Sequence, residues 1–129
     1  MKHYNIENEQ TSILDDNGAF FAFNNEQFNN CANQSLNYKS LGDGLYYPEN
    51  NIDALQAQLK ESYGFKIKWE LSNNSLKDII WYELANHETQ ITGDYSDACK
   101  ALKPYGITED NIKKEWPGYY QNCIDNDYF

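Results

Sequence analysis

Apolar residues in this chain come in short stretches, and the period changes from one stretch to the next. The first sixteen residues are polar and weakly patterned, which predicts a frayed lead-in or one short element. Gly18-Ala-Phe-Phe-Ala-Phe23 is a continuous apolar run closed by Asn24 and Asn25, the pattern of a buried strand followed by an Asn N-cap. From Glu26 the spacing turns helical, with Phe28, Cys31, Ala32, Ser35 and Leu36 on one face. Leu41-Gly-Asp-Gly-Leu-Tyr-Tyr-Pro48 then reads as a glycine turn feeding a short strand that the proline stops.

Asn50 or Asn51 is placed to cap a helix carrying Ile52, Leu55, Leu59 and Tyr63 on one stripe, with Gly64 as its C-terminal stop. Phe65-Lys-Ile-Lys-Trp-Glu-Leu71 alternates apolar and charged residues and predicts a half-buried strand. Ser75-x-x-Asp78 resembles a capping box opening a helix to about Glu88. Further helices are expected from Asp94 to before Pro104 and from Thr108 to before Pro117, leaving the last residues as a short helix or a docked tail. No repeat, linker or composition break divides residues 1–129, so one domain is expected. Its predicted class is α+β, a short, mostly antiparallel sheet packed with four or five helices.

Charge alters this picture more than size does. Twenty carboxylates face ten lysines, with no arginine, giving a formal net charge of −10. Such a surface repels nucleic acid and anionic membrane and attracts basic protein grooves. Without arginine there is also no planar fork for bidentate grip on phosphate. Eleven Tyr, six Phe and three Trp make a core feasible despite a mean hydropathy of −0.84. They also argue against a disordered acidic tail. Asparagine pairs and the use of lysine for every cation suggest AT-rich codons, a property of a genome and not of chemistry. The N-terminus lacks the apolar core of a signal peptide, and no apolar run approaches the ~20 residues of a membrane span. Cys31, Cys99 and Cys123, odd in number and without a CxxC pair, read as reduced thiols of a cytoplasmic protein. The sequons at Asn33 and Asn73 are then chance matches.

One constellation bears on chemistry. Leu76, Ile79, Ile80 and Leu84 define the apolar face of the helix from Ser75, and helical spacing sets Glu83 and His87 near the centre of that face. Asp94 follows just after Gly93 and is positioned to complete a cluster. Glu83, His87 and Asp94 are therefore the candidate binding residues, with Glu83 and His87 also the candidates for catalysis. Three roles compete: a hydrogen-bonded structural pair, part of a metal site, or a general acid–base pair. The metal role lacks a HExxH motif and further ligands, so no metal and no cofactor are expected. A structural pair would make His87→Ala cost about 1–3 kcal/mol, the penalty for orphaning a buried polar partner. Leu41-Gly-Asp-Gly lacks the helix and lysine of a phosphate loop, and the aromatics read as core residues and not as a base-stacking platform.

Phe20-Phe-Ala-Phe-Asn-Asn-Glu-Gln-Phe28 and Trp81-Tyr-Glu-Leu-Ala-Asn-His-Glu88, the latter continuing to Thr92-Gly-Asp94, resemble an uncharacterised family of small proteins from bacteria, their phages and other mobile elements. The resemblance implies an accessory role on a mobile element and no established activity. Combined with the charge, it leads us to expect a non-enzymatic protein that inhibits or modulates a bacterial nucleic-acid-handling protein. An anti-CRISPR or antirestriction protein fits, with carboxylates standing in for phosphates in the basic groove of a CRISPR effector or nuclease. No direct contact with nucleic acid or membrane is expected. The alternatives are a small enzyme or metal-binding protein using Glu83, His87 and Asp94, and a structural or regulatory subunit.

Overall fold

A computed structural model describes all residues, 1–129, as an α+β protein with seven α-helices and one three-stranded antiparallel sheet. It falls into two compact units, Asn5–Lys66 on the one hand and Met1–Tyr4 with Ile67–Phe129 on the other.

In the first unit, α1 (Glu7–Asp16) precedes β1 (Phe20–Phe21), α2 (Asn25–Cys31), β2 (Tyr38–Gly42) and β3 (Leu45–Pro48). The sheet order is β1-β3-β2, so the last strand is central. A two-residue loop, Asp43-Gly44, joins β2 to β3 with φ of 53° and 80°, the positive values that a tight hairpin turn demands. A Cβ at Gly44 would also sit 2.5 Å from the exposed Phe23 ring, which would have to move aside. Asn24 caps α2 as its spacing predicts, its side chain accepting from the Gln27 amide at 2.8 Å. α2 ends at Cys31, however, before Ser35 and Leu36.

The registers Phe20↔Tyr46 and Ser40↔Tyr46 align the aromatic residues of the sheet. The rings of Phe20, Phe28, Tyr38 and Tyr46 pack at centroid separations from 4.9 to 6.0 Å. The expected buried strand is thus short and only partly covered: Ala19 and Ala22 are buried, while Phe21 and Phe23 are exposed.

The apolar core of this unit, Ala19, Tyr47 and Leu55, is small. A polar hub beside it compensates. Asn17, 7% exposed, donates from Nδ2 to the Ile13 carbonyl (2.8 Å) and to Gln58 Oε1 (2.9 Å). Its own carbonyl accepts from Asn51 Nδ2 at 2.9 Å. One asparagine thereby ties the end of α1 to the start of the long helix α3 (Ile52–Asn73).

α3 overturns two expectations. Gly64 does not end it, and Phe65–Leu71 is helix, not strand. The alternation of apolar and charged residues misled because the covered positions follow helical spacing and several of them are polar. Leu55, Ser62 and Glu70 are buried, Leu59, Lys66 and Trp69 are partly covered, and Phe65 and Leu71 face outward. The boundary between the units falls within this helix.

The second unit is helical: α4 (Leu76–Asn86), α5 (Thr89–Thr92), α6 (Ser96–Leu102) and α7 (Glu109–Asn126). Its core gathers Ile79, Ile80, Leu84, Ala98, Leu102, Ile107, Ile112, Tyr119 and Cys123. Ser75 caps α4 by accepting from the Asp78 amide (3.1 Å). Thr108 and Asn111 form a reciprocal capping box at α7. α7 runs through Pro117, where a stop is expected, at the cost of one backbone hydrogen bond. Continued burial at Ile112, Trp116, Tyr119 and Cys123 offsets that loss. The N-terminal segment docks here: Lys2 and Asn74 exchange two hydrogen bonds of 2.6 and 2.7 Å, and His3 meets Tyr82 edge-on at 4.5 Å.

A Cβ at Gly64 meets nothing within 4 Å. Gly64→Ala is therefore expected to raise stability by about 0.5–1 kcal/mol, as in any helix interior. Urea unfolding checks this, and a loss of stability would mean that the helix breaks at Gly64.

Candidate functional site

Glu83 and His87 lie one turn apart on α4 and do meet, His87 Nε2 standing 3.4 Å from Glu83 Oε2. Their expected place on the buried face needs correction. His87 is the exposed C-cap residue of α4 and Glu83 is only half-buried, because Ile79, Ile80 and Leu84 alone turn into the core. Asp94 is engaged elsewhere, its Oδ1 accepting from the Ser96 amide (2.9 Å) and the Ser96 hydroxyl. These two bonds, the hydroxyl first, hold its carboxyl below the ordinary carboxylate range. Asp94 lines a separate hollow with Tyr95, Cys99 and Glu109 that neither Glu83 nor His87 enters. No three His, Cys, Asp or Glu side chains come together as a metal would need.

The cysteines form no disulfide. Cys31 is exposed, Cys99 partly covered and Cys123 buried. Burial, then the nearby carboxylates of Glu109 and Asp94, push the Cys99 thiol up, which disfavours a nucleophilic thiolate.

The more distinctive concavity is one that sequence reading does not reveal. Asp78, Trp81, Tyr82 and Ala85 from α4, Gln90 from α5, Tyr119 and Asn122 from α7, Tyr128 and Met1 surround a hollow of about 410 Å³. That volume lies in the range of small-ligand sites. Trp81 and Tyr119 build one wall, edge to face at 5.7 Å, and Trp81 Nε1 is fixed by donating to Glu115 Oε2 at 3.1 Å. Gln90 locks the rim. Its Oε1 accepts from the Tyr119 hydroxyl (2.7 Å) and its Nε2 donates to the Tyr128 carbonyl (2.9 Å). Burial, followed by Cys123, pushes the Tyr119 phenol well above its ordinary range, so it stays a donor. Gln90 and Tyr119 are committed to each other, and the charge-bearing residues of the lining are Asp78 and Met1, the latter through its α-amino group. The surplus of aromatic residues hints at such a wall in the sequence, but its parts come from four separate segments.

Fold and site together define a helix-rich α+β protein with an aromatic-walled hollow whose lining is mainly carbon. The chain belongs to the DUF7659 family, described as a family of unknown function, whose model matches residues 2–122. No curated protein and no solved structure matches it.

Two measurements follow from this geometry. His87→Ala now removes an exposed helical pair and is expected to shift stability by no more than about 0.5 kcal/mol, read by thermal unfolding. For Tyr119 the proton is bound more tightly in the folded state than in the unfolded one. Its contribution is complete below the unfolded-state value near 10 and is lost as pH rises beyond it. Stability should therefore fall above about pH 10, and Tyr119→Phe should flatten that decline. An unaltered pH profile in the variant would contradict the assignment.

Proposed function

We propose that this protein is a non-enzymatic binding protein that engages the basic groove of a nucleic-acid-handling protein through its carboxylates. On this reading it acts as an inhibitor or modulator of the anti-CRISPR or antirestriction type, in a bacterial cell and on behalf of a phage or other mobile element. The observation that carries the proposal is where the acids stand. Sixteen of the twenty carboxylates are exposed. The unit Asn5–Lys66 holds nine carboxylates against three lysines, a formal −6.

Several acids occupy positions that helix electrostatics disfavour. α1 ends in Asp15-Asp16 with no basic residue in its last turn, and α7 ends in Asp125 with Asp127 as its C-cap. A helix C-terminus carries negative partial charge, so carboxylates there cost stability. Their presence supports a use of the charge outside folding, in steering toward a cationic surface. The alternative of chemistry at Glu83, His87 and Asp94 has less support, because Asp94 is committed to Ser96 and borders a different hollow.

The test is capture from host lysate at low and high salt, followed by competition with duplex DNA on the isolated partner. A nuclease or effector released by salt and displaced by DNA is the expected result. Binding that neither salt nor DNA disturbs would sink the proposal. The double variant Asp15→Asn/Asp16→Asn should gain about 0.3–1 kcal/mol of stability at low salt while binding the partner more weakly.

A further inference from the structure

From the chemistry of two hollows that share Phe28, we infer that the unit Asn5–Lys66 binds a neutral saccharide of the β-linked glucopyranose type. The larger hollow, about 560 Å³, takes Phe23, Asn25 and Tyr46 into its lining. The smaller, about 330 Å³, takes Asn29, Gln34 and Tyr38. Neither lining contains a charged residue, in a chain of which 23% of residues are charged. A charged ligand would give up water there without meeting a counter-charge, a costly exchange. The lining therefore selects a neutral ligand.

What remains is rings and amides. Phe28 borders both hollows, and its ring is held edge-on by Tyr46 at 4.9 Å and Tyr38 at 5.7 Å. Phe23 is 75% exposed, yet its backbone is tied down. Its amide donates to Gln27 Oε1 at 2.8 Å, and the neighbouring Ala22 amide donates to the Gly44 carbonyl at 2.8 Å. The ring rests against Gly44, where the missing side chain makes room. Asn25, Asn29 and Gln34 are exposed, and their side-chain amides make no hydrogen bond within the chain. Each keeps two N–H donors and a carbonyl acceptor for a ligand. Asn24, by contrast, uses its oxygen as the cap of α2.

A ligand that suits this mixture has a flat carbon face for the rings and hydroxyls around its rim for the amides. β-Glucopyranose has that form, because its hydroxyls lie equatorial and leave C–H groups on both faces. Stacking one face on Phe23 buries carbon against carbon while the rim hydroxyls stay within reach of amides and water. The equatorial linkage of a cellulose-type chain keeps successive rings in one ribbon, which suits two hollows with a common wall. This site is independent of the proposed acidic docking surface, and neither requires the other.

The test is two-dimensional amide NMR of the full chain titrated with cellotetraose, methyl β-glucopyranoside, glucose 6-phosphate and benzyl alcohol. Saturable shifts of the Asn25, Asn29 and Gln34 side-chain amides with the two neutral sugars, and weaker binding of the phosphate, are the expected result. Phe23→Ala should weaken binding by about tenfold, the loss of one ring contact, and Phe23→Trp should retain it. Because Phe23 is exposed and its tie to Gln27 is through the backbone, the alanine variant keeps its fold. Phe21→Ala removes an exposed ring outside both hollows and should leave binding unchanged. Tighter binding of cellotetraose than of the methyl glycoside assigns the site to a glycan chain, and equal binding to a free sugar. Absence of saturable shifts with either sugar, equal affinity for benzyl alcohol, or full affinity in Phe23→Ala would overturn the assignment.

Discussion

The covered stripe of α3 is the constraint on which the rest of the chain depends. Leu55 and Leu59 contribute to the core beside the sheet, and Trp69 and Glu70 lie farther along the same helix, where Tyr105 donates to Glu70 Oε1 at 3.0 Å. For one helix to do both, it must continue through Gly64, a residue of poor helix propensity. It must also cover Ser62, Lys66 and Glu70, which prefer water. Tertiary burial, not local preference, decides that the helix is unbroken. α7 repeats the lesson at Pro117, where covered positions before and after the proline keep the helix running.

A chain of net charge −10 must also fold against its own repulsion. It does so with a mainly aliphatic interior, partly covered rings such as Trp81 and Trp116 packed around it, and side-chain amides as fasteners. Asn17, Asn51 and Gln58 tie α1 to α3, Asn74 holds the segment at Lys2, and Gln90 joins Tyr119 to Tyr128. Amides join elements without adding charge, so most of the carboxylates stay at the surface, Glu70 being the buried exception. Acids at the C-terminal ends of α1 and α7 make folding harder, and in the proposed function they assist association.

Two surface features then differ in kind. Surface carboxylates act at a distance and are screened by salt. In the aromatic hollow, hydrogen bonds to Glu115 and Gln90 hold Trp81 and Tyr119 in place.

Much of the local structure was legible in the residues. Asn24, Ser75 and Thr108 cap the helices they introduce, Asp43-Gly44 turns the hairpin, and the α+β class follows from mixed periods. These signals are short-range, since a cap or turn needs only residues within one turn of chain. Glu83 and His87 were legible as neighbours for the same reason, because spacing alone brings them together. Spacing marked Ile79, Ile80 and Leu84 as the covered side of α4, but not how far that coverage reaches. That depends on what packs against it, and Ile79, Ile80 and Leu84 turn inward while His87 stays out. The strand expected at Phe65–Leu71 failed because alternation is evidence only if the apolar residues are the covered ones, and here Phe65 and Leu71 are exposed. The hollow around Trp81 needed residues from Met1 to Tyr128, placed by four segments whose encounter no local pattern encodes. The sequence by itself determined the charge, the caps, the turn and the aromatic inventory, because each is a property of single residues or near neighbours. Only the tertiary structure decided where the long helices end and which rings enclose the hollow, because burial is shared among residues far apart in the chain.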